Sequence, residues 1–196
     1  MNENFFAYIS RMRYINRWSL MRTTLPENIQ EHSHMVAVLA HALGLIRKEV
    51  FGIECDPNAA AAAALFHDSS EILTGDLPTP IKYHNKEIKD AYQQVEVLAC
   101  NKLLETLPAE LRPAYEQLLT GSAHEIVRDL VKAADKLSAY IKCIEERKAG
   151  NNEFQSAEIQ TLNALRSYQM PEVDYFVEHF IPAFELTLDE LGTIDE

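Results

Sequence analysis

The sequence predicts an all-α protein that folds as a single domain over residues 1–196. Apolar residues recur at intervals of three and four along most of the chain, which is the period of an amphipathic helix. The chain has only 6 Gly and 8 Pro, and most of them lie between the periodic segments. Helix-breaking residues placed in this way favour a few long helices over many short strands joined by turns.

The first half of the chain contains three predicted helices. The first spans about residues 5–18, and the second spans about residues 28–51. Asp56 and Pro57 supply an N-cap and a first-turn proline for the third helix. A run of six alanines follows, and because alanine has the highest helix propensity we expect this helix to continue to about residue 73.

The second half is also helical, after a loop rich in proline and glycine. That loop covers residues 74–80, and its two prolines make it a stiff turn. We see no internal repeat and no break in composition that marks a second domain. The further predicted helices cover about residues 86–107, 109–119, 125–149, 153–168 and 174–191.

The charge of the chain limits its partners. The formal net charge is −12, so the protein repels a polyphosphate backbone and we expect no nucleic-acid polymer as a partner. A small phosphorylated metabolite stays compatible with this charge, because local cations or a metal can override the global field.

Several features indicate a cytoplasmic protein that does not enter a membrane. No apolar run approaches the roughly 20 residues that a membrane span requires. The N-terminal residues lack the charged and then apolar layout of a signal peptide. The three cysteines are widely spaced, so they predict neither a disulfide framework nor a thiolate metal site.

Four ionisable residues interrupt helix faces that are otherwise apolar: His32, His67, Asp68 and Asp135. A carboxylate buried without a partner costs several kcal/mol, so it normally finds a cation. A divalent metal between the helices would compensate both aspartates at once. Two imidazoles and two carboxylates are suitable ligands for such an ion and leave positions for water and substrate.

Each of these residues also has an ordinary interpretation. A lone histidine on an apolar face is more often a hydrogen-bonded core residue, and Asp135 alone is compatible with a salt bridge to a neighbouring helix. A His-Asp pair arises by chance in many sequences. The joint occurrence of His, His-Asp and Asp on separate helices, in that order, is what favours a metal site.

This order resembles the H…HD…D signature of the HD-domain metal-dependent phosphohydrolases. The flanking segments resemble, more specifically, the bacterial 5′-deoxynucleotidases of that superfamily, and the resemblance covers nearly the whole chain. These segments are residues 15–18 (INRW), 27–33 (ENIQEHS), 67–80 (HDSSEILTGDLPTP) and 150–154 (GNNEF).

The resemblance implies a helical bundle of the HD-domain type that hydrolyses deoxyribonucleoside 5′-monophosphates to deoxynucleoside and phosphate by a metal-activated water. One divalent ion would bind His32, His67, Asp68 and Asp135, and the family suggests cobalt or manganese. The ligand types themselves fit several first-row metals. The resemblance also implies a homodimer.

Three further residues are candidates for catalysis. Glu71 lies one turn from the His-Asp pair, so it is a candidate base, acid or orienting carboxylate, or else a solvated helix glutamate. Arg17 matches the oxygens of a phosphate and would orient the phosphoryl group. Asp76 would be a polar contact to the substrate and a partner in proton transfer.

The remaining candidates would bind the substrate. Trp18 would form an apolar wall that leaves a ribose 2′-hydroxyl without a hydrogen-bond partner and so favours deoxyribose. Without the resemblance, a helix-end arginine and a core tryptophan are the simpler interpretation of residues 17 and 18. The other predicted substrate contacts are His32, Asp68, Leu77, Pro78, Thr79 and Asp135, together with Arg17 and Asp76.

Two alternatives stay open at this point. The same metal site would suit an HD-type enzyme that acts on a cyclic nucleotide, a nucleoside triphosphate or an alarmone. A non-catalytic helical module with a structural metal is also possible, because structural sites are usually closed by four protein ligands. Nucleobase preference is not encoded in any motif that we recognise.

Overall fold

The computed structural model describes residues 3–82, 84–120 and 125–192. Within these ranges the protein has no β-strand and a single isolated bridge, between Asn16 and Asn28. The predicted all-α class is therefore confirmed. Across the same ranges, every helix is too short or too polar to span a bilayer.

The helices vary widely in length, and 3₁₀ or π turns extend or precede several of them. The 3₁₀ turns are Ser10–Tyr14, Asn152–Phe154 and Ile181–Glu185, and Ile46–Val50 is a π turn. The α-helices are α1 (Phe5–Ile9), α2 (Ile29–Leu45), α3 (Pro57–Ala64), α4 (Glu71–Thr74), α5 (Thr79–Lys82), α6 (Lys86–Glu105), α7 (Arg112–Leu119), α8 (Glu125–Lys148), α9 (Gln155–Ser167), α10 (Pro171–His179) and α11 (Leu188–Gly192).

A capping box begins α2 and puts His32 in its first turn. The side chain of Asn28 accepts a hydrogen bond from Glu31 N at 3.0 Å, and Glu31 Oε2 accepts one from Asn28 N at 3.4 Å. These bonds satisfy backbone groups that a first helical turn leaves without partners. Because the helix begins at Ile29, the His32 side chain lies where α2 meets the preceding loop.

Helices α2, α3 and α8 pack against one another and position the candidate metal ligands. The contact between α2 and α3 is close because small residues form it. Ala60, Ala63 and Ala64 are buried, and a Cβ atom on Gly44 would lie 3.0 Å from Pro57. A side chain at this glycine would force the two helices apart, at a cost of about 1–3 kcal/mol.

Buried apolar side chains form two clusters, and the segment between α3 and α4 joins them. The larger cluster includes Ala63 and Ala64 of α3 together with α2, α8, α9 and α10. The smaller cluster is built on α1, α6 and α7, and Phe66 and Ile72 pack against it. The His67-Asp68 pair is therefore held between two packed regions.

Most predicted helices of the second half agree with the structure to within about three residues. The C-terminal prediction was wrong, because residues 174–191 do not form one helix. Helix α10 begins earlier, at Pro171, and ends at His179, before a 3₁₀ turn that contains Pro182. Proline has no N–H to continue the hydrogen bonding of α10, so the helix ends there.

Two further predictions were wrong, and both concern the candidate site. The first helix does not reach residue 18, because it ends with the 3₁₀ turn Ser10–Tyr14 and is followed by extended backbone. Arg17 and Trp18 consequently lie in a loop. The third helix does not reach residue 73. It ends at Ala64, and tighter turns lead into α4.

Candidate active site

The side chains of His32, His67, Asp68 and Asp135 meet at one place. His32 Nε2 lies 3.0 Å from Asp135 Oδ1 and 3.6 Å from Asp68 Oδ2. His67 Nε2 lies 3.1 Å from Asp68 Oδ2. One ligand atom from each of His32, His67 and Asp135 lies within 4.8 Å of the other two. Three separate parts of the chain thus contribute to one cluster.

The turn after α3 carries His67 and Asp68 and sets the directions of their side chains. In this turn the backbone N–H groups bond three residues back, as in His67 N to Ala64 O at 3.4 Å and Glu71 N to Asp68 O at 3.0 Å. Such turns have about three residues per turn, so neighbouring side chains diverge more than on an α-helix, and residues three apart eclipse. Glu71 therefore follows Asp68 on the same side of the chain.

The chemistry of the two histidines suits a metal ion. His67 Nδ1 lies 2.7 Å from Ala64 O, and because a carbonyl only accepts hydrogen bonds, Nδ1 carries a proton. His32 Nδ1 lies 3.3 Å from Ser138 Oγ. Both Nε2 atoms are buried, and each lies within about 3 Å of a carboxylate oxygen without the angle of a hydrogen bond. Each Nε2 is therefore a buried nitrogen that faces carboxylates and needs an electrophile, which a cation supplies.

The charges within the cluster shift the pKa of each member. Burial lowers the pKa of His67, but the carboxylates of Asp68 and Asp135 outweigh it and raise the pKa to about 9. Burial raises the pKa of Asp68, but His67 and His32 outweigh it and hold the pKa at about 2. Burial also opposes ionisation of Asp135, whose pKa is nevertheless lowered by His32. The cluster thus presents ionised carboxylates, and a cation and a proton compete for His67.

The two aspartates differ in exposure. The side chain of Asp68 is 19% exposed, whereas that of Asp135 is 38% exposed and opens to a cleft. The apolar residues around Asp135 in the sequence predicted a buried side chain, and the observed side chain is more exposed than that. The cleft has a volume of about 500 Å³ and is lined by residues of α6, α7 and α8, and by His67 and Asp135. Arg17 and Trp18 are not among the residues that line it.

Glu71 is buried, so its interpretation as a solvated helix glutamate is wrong. Glu71 is 6% exposed, and its Oε2 atom lacks a hydrogen-bond partner among the described residues. Burial raises the pKa of Glu71 to about 9, and the charges of Asp68 and Asp76 act in the same direction. The carboxyl group lies beside the cluster and is not part of a salt bridge in the described structure.

Arg17 contacts the cluster from the loop before α2. Its Nη1 donates to Asp68 Oδ2 at 3.2 Å, and its Nε donates to Glu27 Oε2 at 3.1 Å. Burial lowers the pKa of Arg17, but Asp135, Asp68 and Glu27 outweigh it and raise the pKa. No described residue accepts a hydrogen bond from Nη2, so that group is available to another acceptor.

Trp18 is neither a helix residue nor a core residue. It is partly buried, its indole Nε1 donates to Glu27 Oε2 at 2.9 Å, and its ring centroid lies 5.2 Å from that of Phe154. Its φ of +60° is in the left-handed region, which few bulky residues adopt. Phe154 is fully buried and anchors the indole.

The loop between α4 and α5 carries the other predicted substrate contacts. Asp76 is partly buried, which raises its pKa, and the charges of Arg17 and Asp68 also act on it. Leu77 and Pro78 are partly buried in the same loop. Thr79 begins α5, and its side chain lies outside the described part of the structure.

Two residues at the site were not singled out from the sequence. Ser138 is buried and contacts His32 Nδ1, and its position three residues after Asp135 on α8 is the signal that was available. Glu27 contacts both Arg17 and Trp18. No periodic pattern indicates this contact, because all three residues lie in a loop.

Comparison with known proteins identifies the family of this chain. The family model described as "5′-deoxynucleotidase YfbR-like" matches residues 4–184. This chain belongs to that family. Relatives named 5′-deoxynucleotidase include one from Erwinia tasmaniensis, with 48% identity over 98% of each chain. Another, from Shigella boydii, is 47% identical over 97% of this chain and 96% of its own. The resemblance inferred from the sequence is confirmed.

Solved structures have the same fold. An HD-domain phosphohydrolase from Listeria innocua aligns with a TM-score of 0.80 and 27% identity, covering 92% of this chain and 88% of its own. The HD phosphohydrolase of cyanophage S-2L, bound to dA and one catalytic Zn²⁺ ion, aligns with a TM-score of 0.66. It is 23% identical and covers 92% of this chain and 96% of its own. The predicted HD-domain type is therefore confirmed.

Proposed function

We propose that the protein is a metal-dependent 5′-deoxynucleotidase that converts deoxyribonucleoside 5′-monophosphates and water to deoxynucleosides and phosphate. The observation that carries this proposal is the convergence of the buried Nε2 atoms of His32 and His67 with the carboxylates of Asp68 and Asp135 in one cluster. Identity of 47–48% to named 5′-deoxynucleotidases, over nearly the whole chain, supports the same substrate class.

The ligands in this proposal are His32, His67, Asp68 and Asp135. A divalent ion held there supplies a Lewis acid for the phosphoryl group and makes a water molecule more acidic. The protein contributes two bonds that orient the imidazoles, from His67 Nδ1 to Ala64 O and between His32 Nδ1 and Ser138 Oγ.

The other site residues act on the substrate. The Nη2 group of Arg17 is available for a phosphoryl oxygen, because the described hydrogen bonds of this guanidinium use Nε and Nη1. Glu71 is buried one turn after Asp68 with a free oxygen, which suits a group that holds or passes a proton. We propose that Asp76 makes a polar contact to the substrate and takes part in proton transfer. The charges of Arg17 and Asp68 act on the Asp76 carboxyl group, which supports this assignment.

Further substrate contacts are assigned by the resemblance. We propose that Trp18 excludes the ribose 2′-hydroxyl, and that Leu77, Pro78 and Thr79 border the substrate, as do His32, Asp68 and Asp135. The cleft of about 500 Å³ beside His67 and Asp135 has room for part of a nucleotide.

Several properties of the protein stay predictions from the sequence. These are cobalt or manganese as the ion, a homodimeric assembly, a cytoplasmic location and one HD domain over residues 1–196. The cyanophage S-2L enzyme, whose structure has one catalytic Zn²⁺, supports a single ion. The larger apolar cluster, which joins five helices from α2 to α10, supports one domain.

The test is phosphate release by metal-depleted protein that is given one divalent ion at a time. We expect phosphate from dAMP after addition of an ion, and at least about tenfold less from AMP. Release of pyrophosphate or triphosphate, or opening of a cyclic nucleotide, would overturn the substrate assignment and keep the metal site. Unfolding on metal removal without turnover under any condition would indicate a structural ion.

A further inference from the structure

We propose that Glu27 is a positioning residue that sets the orientation of Arg17 and Trp18 together, and so couples phosphate binding to the preference for deoxyribose. This inference rests on the proposed function. Its basis is a single carboxylate oxygen, Oε2, that accepts hydrogen bonds from Arg17 Nε at 3.1 Å and from Trp18 Nε1 at 2.9 Å. The described hydrogen bonds of the Glu27 side chain are to these two residues, so we take it to act through them.

Glu27 fixes the rotation of the Arg17 guanidinium. This planar group is bonded on two of its edges, at Nε to Glu27 and at Nη1 to Asp68. With these two atoms fixed, Nη2 has one direction, and a donor held in one direction binds a phosphoryl oxygen without an ordering cost. The Glu27 and Arg17 side chains are 16% and 14% exposed, so water competes little for this bond.

Glu27 also holds Trp18 in a conformation that its backbone disfavours. A non-glycine residue in the left-handed region costs roughly 1–2 kcal/mol and persists only where its surroundings determine it. Two contacts of the Trp18 side chain stabilise this conformation: its hydrogen bond to Glu27 Oε2 and its packing on Phe154. The main chain adds Arg17 N to Glu27 O at 3.0 Å and Met21 N to Trp18 O at 2.8 Å.

The two roles share one acceptor, so loss of Glu27 should affect both. The second carboxylate oxygen lies 3.9 Å from His32 Nδ1, which is beyond hydrogen-bond distance. Without the carboxylate, Phe154 is the described side-chain contact that the indole retains, and Asp68 is the described hydrogen-bond partner that the guanidinium retains. The phosphate contact would then become less precise, and the wall against the 2′-hydroxyl would become mobile.

The test compares Glu27→Ala with Glu27→Gln and with the control Glu153→Ala. Glu153 is a carboxylate on the same side of the molecule that accepts a hydrogen bond from Arg22 N and contacts neither Arg17 nor Trp18. The measurements are kcat and KM for dAMP and AMP. A second readout is independent of activity: Trp18 is the one tryptophan of the chain, so its fluorescence reports directly on the indole.

We expect Glu27→Ala to lower the ratio of kcat/KM for dAMP to that for AMP by about tenfold, and to lower kcat for dAMP by about as much. Its Trp18 emission should shift to the red and become easier to quench with acrylamide. Glu27→Gln keeps a neutral acceptor and should restore part of the ratio. Glu153→Ala should retain the wild-type ratio and emission.

Two results would overturn the role of Glu27. One is an unchanged dAMP/AMP ratio with unchanged Trp18 emission in Glu27→Ala. The other is an equal loss of kcat for both substrates, as a smaller folded fraction would cause. If Glu27→Ala does not fold, Trp18→Phe decides, because it keeps an aromatic ring and removes the pyrrole part of the indole with its donor to Glu27. An unchanged ratio in Trp18→Phe contradicts the proposal. Absence of dAMP hydrolysis by the wild-type protein would instead refute the proposed function.

Discussion

Replacement of Glu146 by alanine should destabilise the protein strongly, although this residue is not itself a proposed metal ligand. Glu146 is fully buried in α8. Its carboxylate accepts hydrogen bonds from Thr24 N at 2.8 Å, Leu25 N at 3.0 Å and Lys142 Nζ at 2.7 Å. Asn151 Nδ2 donates a fourth, at 2.9 Å. This network fixes the part of the loop that lies between Trp18 and Glu27.

The magnitude follows from what the substitution leaves behind. Lys142 is 4% exposed and would keep Leu25 O as its acceptor while losing its counter-ion. Removal of one partner from a buried ion pair typically costs about 3–5 kcal/mol. Since each kcal/mol shifts the Tm of a domain of this size by about 2–4 °C, we expect the Tm to fall by roughly 6–20 °C.

The assay is thermal unfolding followed by circular dichroism, with Glu145→Ala as the matched control. Glu145 precedes Glu146 on the same helix, is exposed, and accepts no side-chain hydrogen bond in the described structure. Its substitution should shift the Tm by little, because exposed positions of this kind contribute within about 0.5 kcal/mol. The double variant Lys142→Ala/Glu146→Ala should lose less than the sum of the two single changes, because the unpaired charge is gone.

A Tm change of Glu146→Ala that equals the change of Glu145→Ala would refute this reasoning. So would full additivity in the double variant, because the cost would then not come from an unpaired buried cation.

Three further predictions concern the metal ligands, their support and pH. Asp135→Ala should lower phosphate release from dAMP by more than about 100-fold while the circular dichroism spectrum stays that of a folded protein, whereas the exposed Asp129→Ala on the same helix should stay active. Ser138→Ala should weaken metal binding by roughly 10–100-fold in a competition titration with a chelator, because His32 Nδ1 loses its side-chain partner. Burial raises the pKa of Glu146, but hydrogen bonds from Lys142 and Asn151 outweigh it and lower the pKa from 4.5 to about 2. A carboxyl group whose pKa is lowered by folding stabilises the protein at pH values above its unfolded-state pKa. The difference in unfolding free energy between wild type and Glu146→Gln should therefore be complete above pH 4.5 and should be lost as the pH falls toward 2. Denaturant unfolding at each pH measures this difference.

Helical periodicity predicted the fold class well because it reports which faces of the chain are buried. Helix α8 is the clearest case: its apolar stripe predicted residues 125–149, and the helix spans Glu125–Lys148. The Asp56-Pro57 start of α3 was also confirmed, since Asp56 caps the helix and Pro57 occupies its first turn. In both cases the residues of the segment itself were enough to predict where the helix begins.

The same reasoning failed where tertiary contacts override local preference. After Ala64 the chain changes to three-residue turns, and Phe66 turns toward a different apolar cluster from that of α3. Intrinsic propensity contains no information about that second cluster. The loop that holds Arg17 and Trp18 was likewise invisible to periodicity, because it is fixed by Glu27 and by a buried network on α8. For the candidate site, the sequence therefore predicted which residues take part. The contacts that hold these residues in place became visible only in the structure.

The most direct test of the account is anomalous X-ray diffraction from crystals grown with Co²⁺ or Mn²⁺, recorded at the absorption edge of the ion. The account predicts one strong peak within bonding distance of Nε2 of both His32 and His67 and of carboxylate oxygens of Asp68 and Asp135. A peak at another place, or no peak between these side chains at saturating metal, would contradict the assignment of a metal-dependent hydrolase.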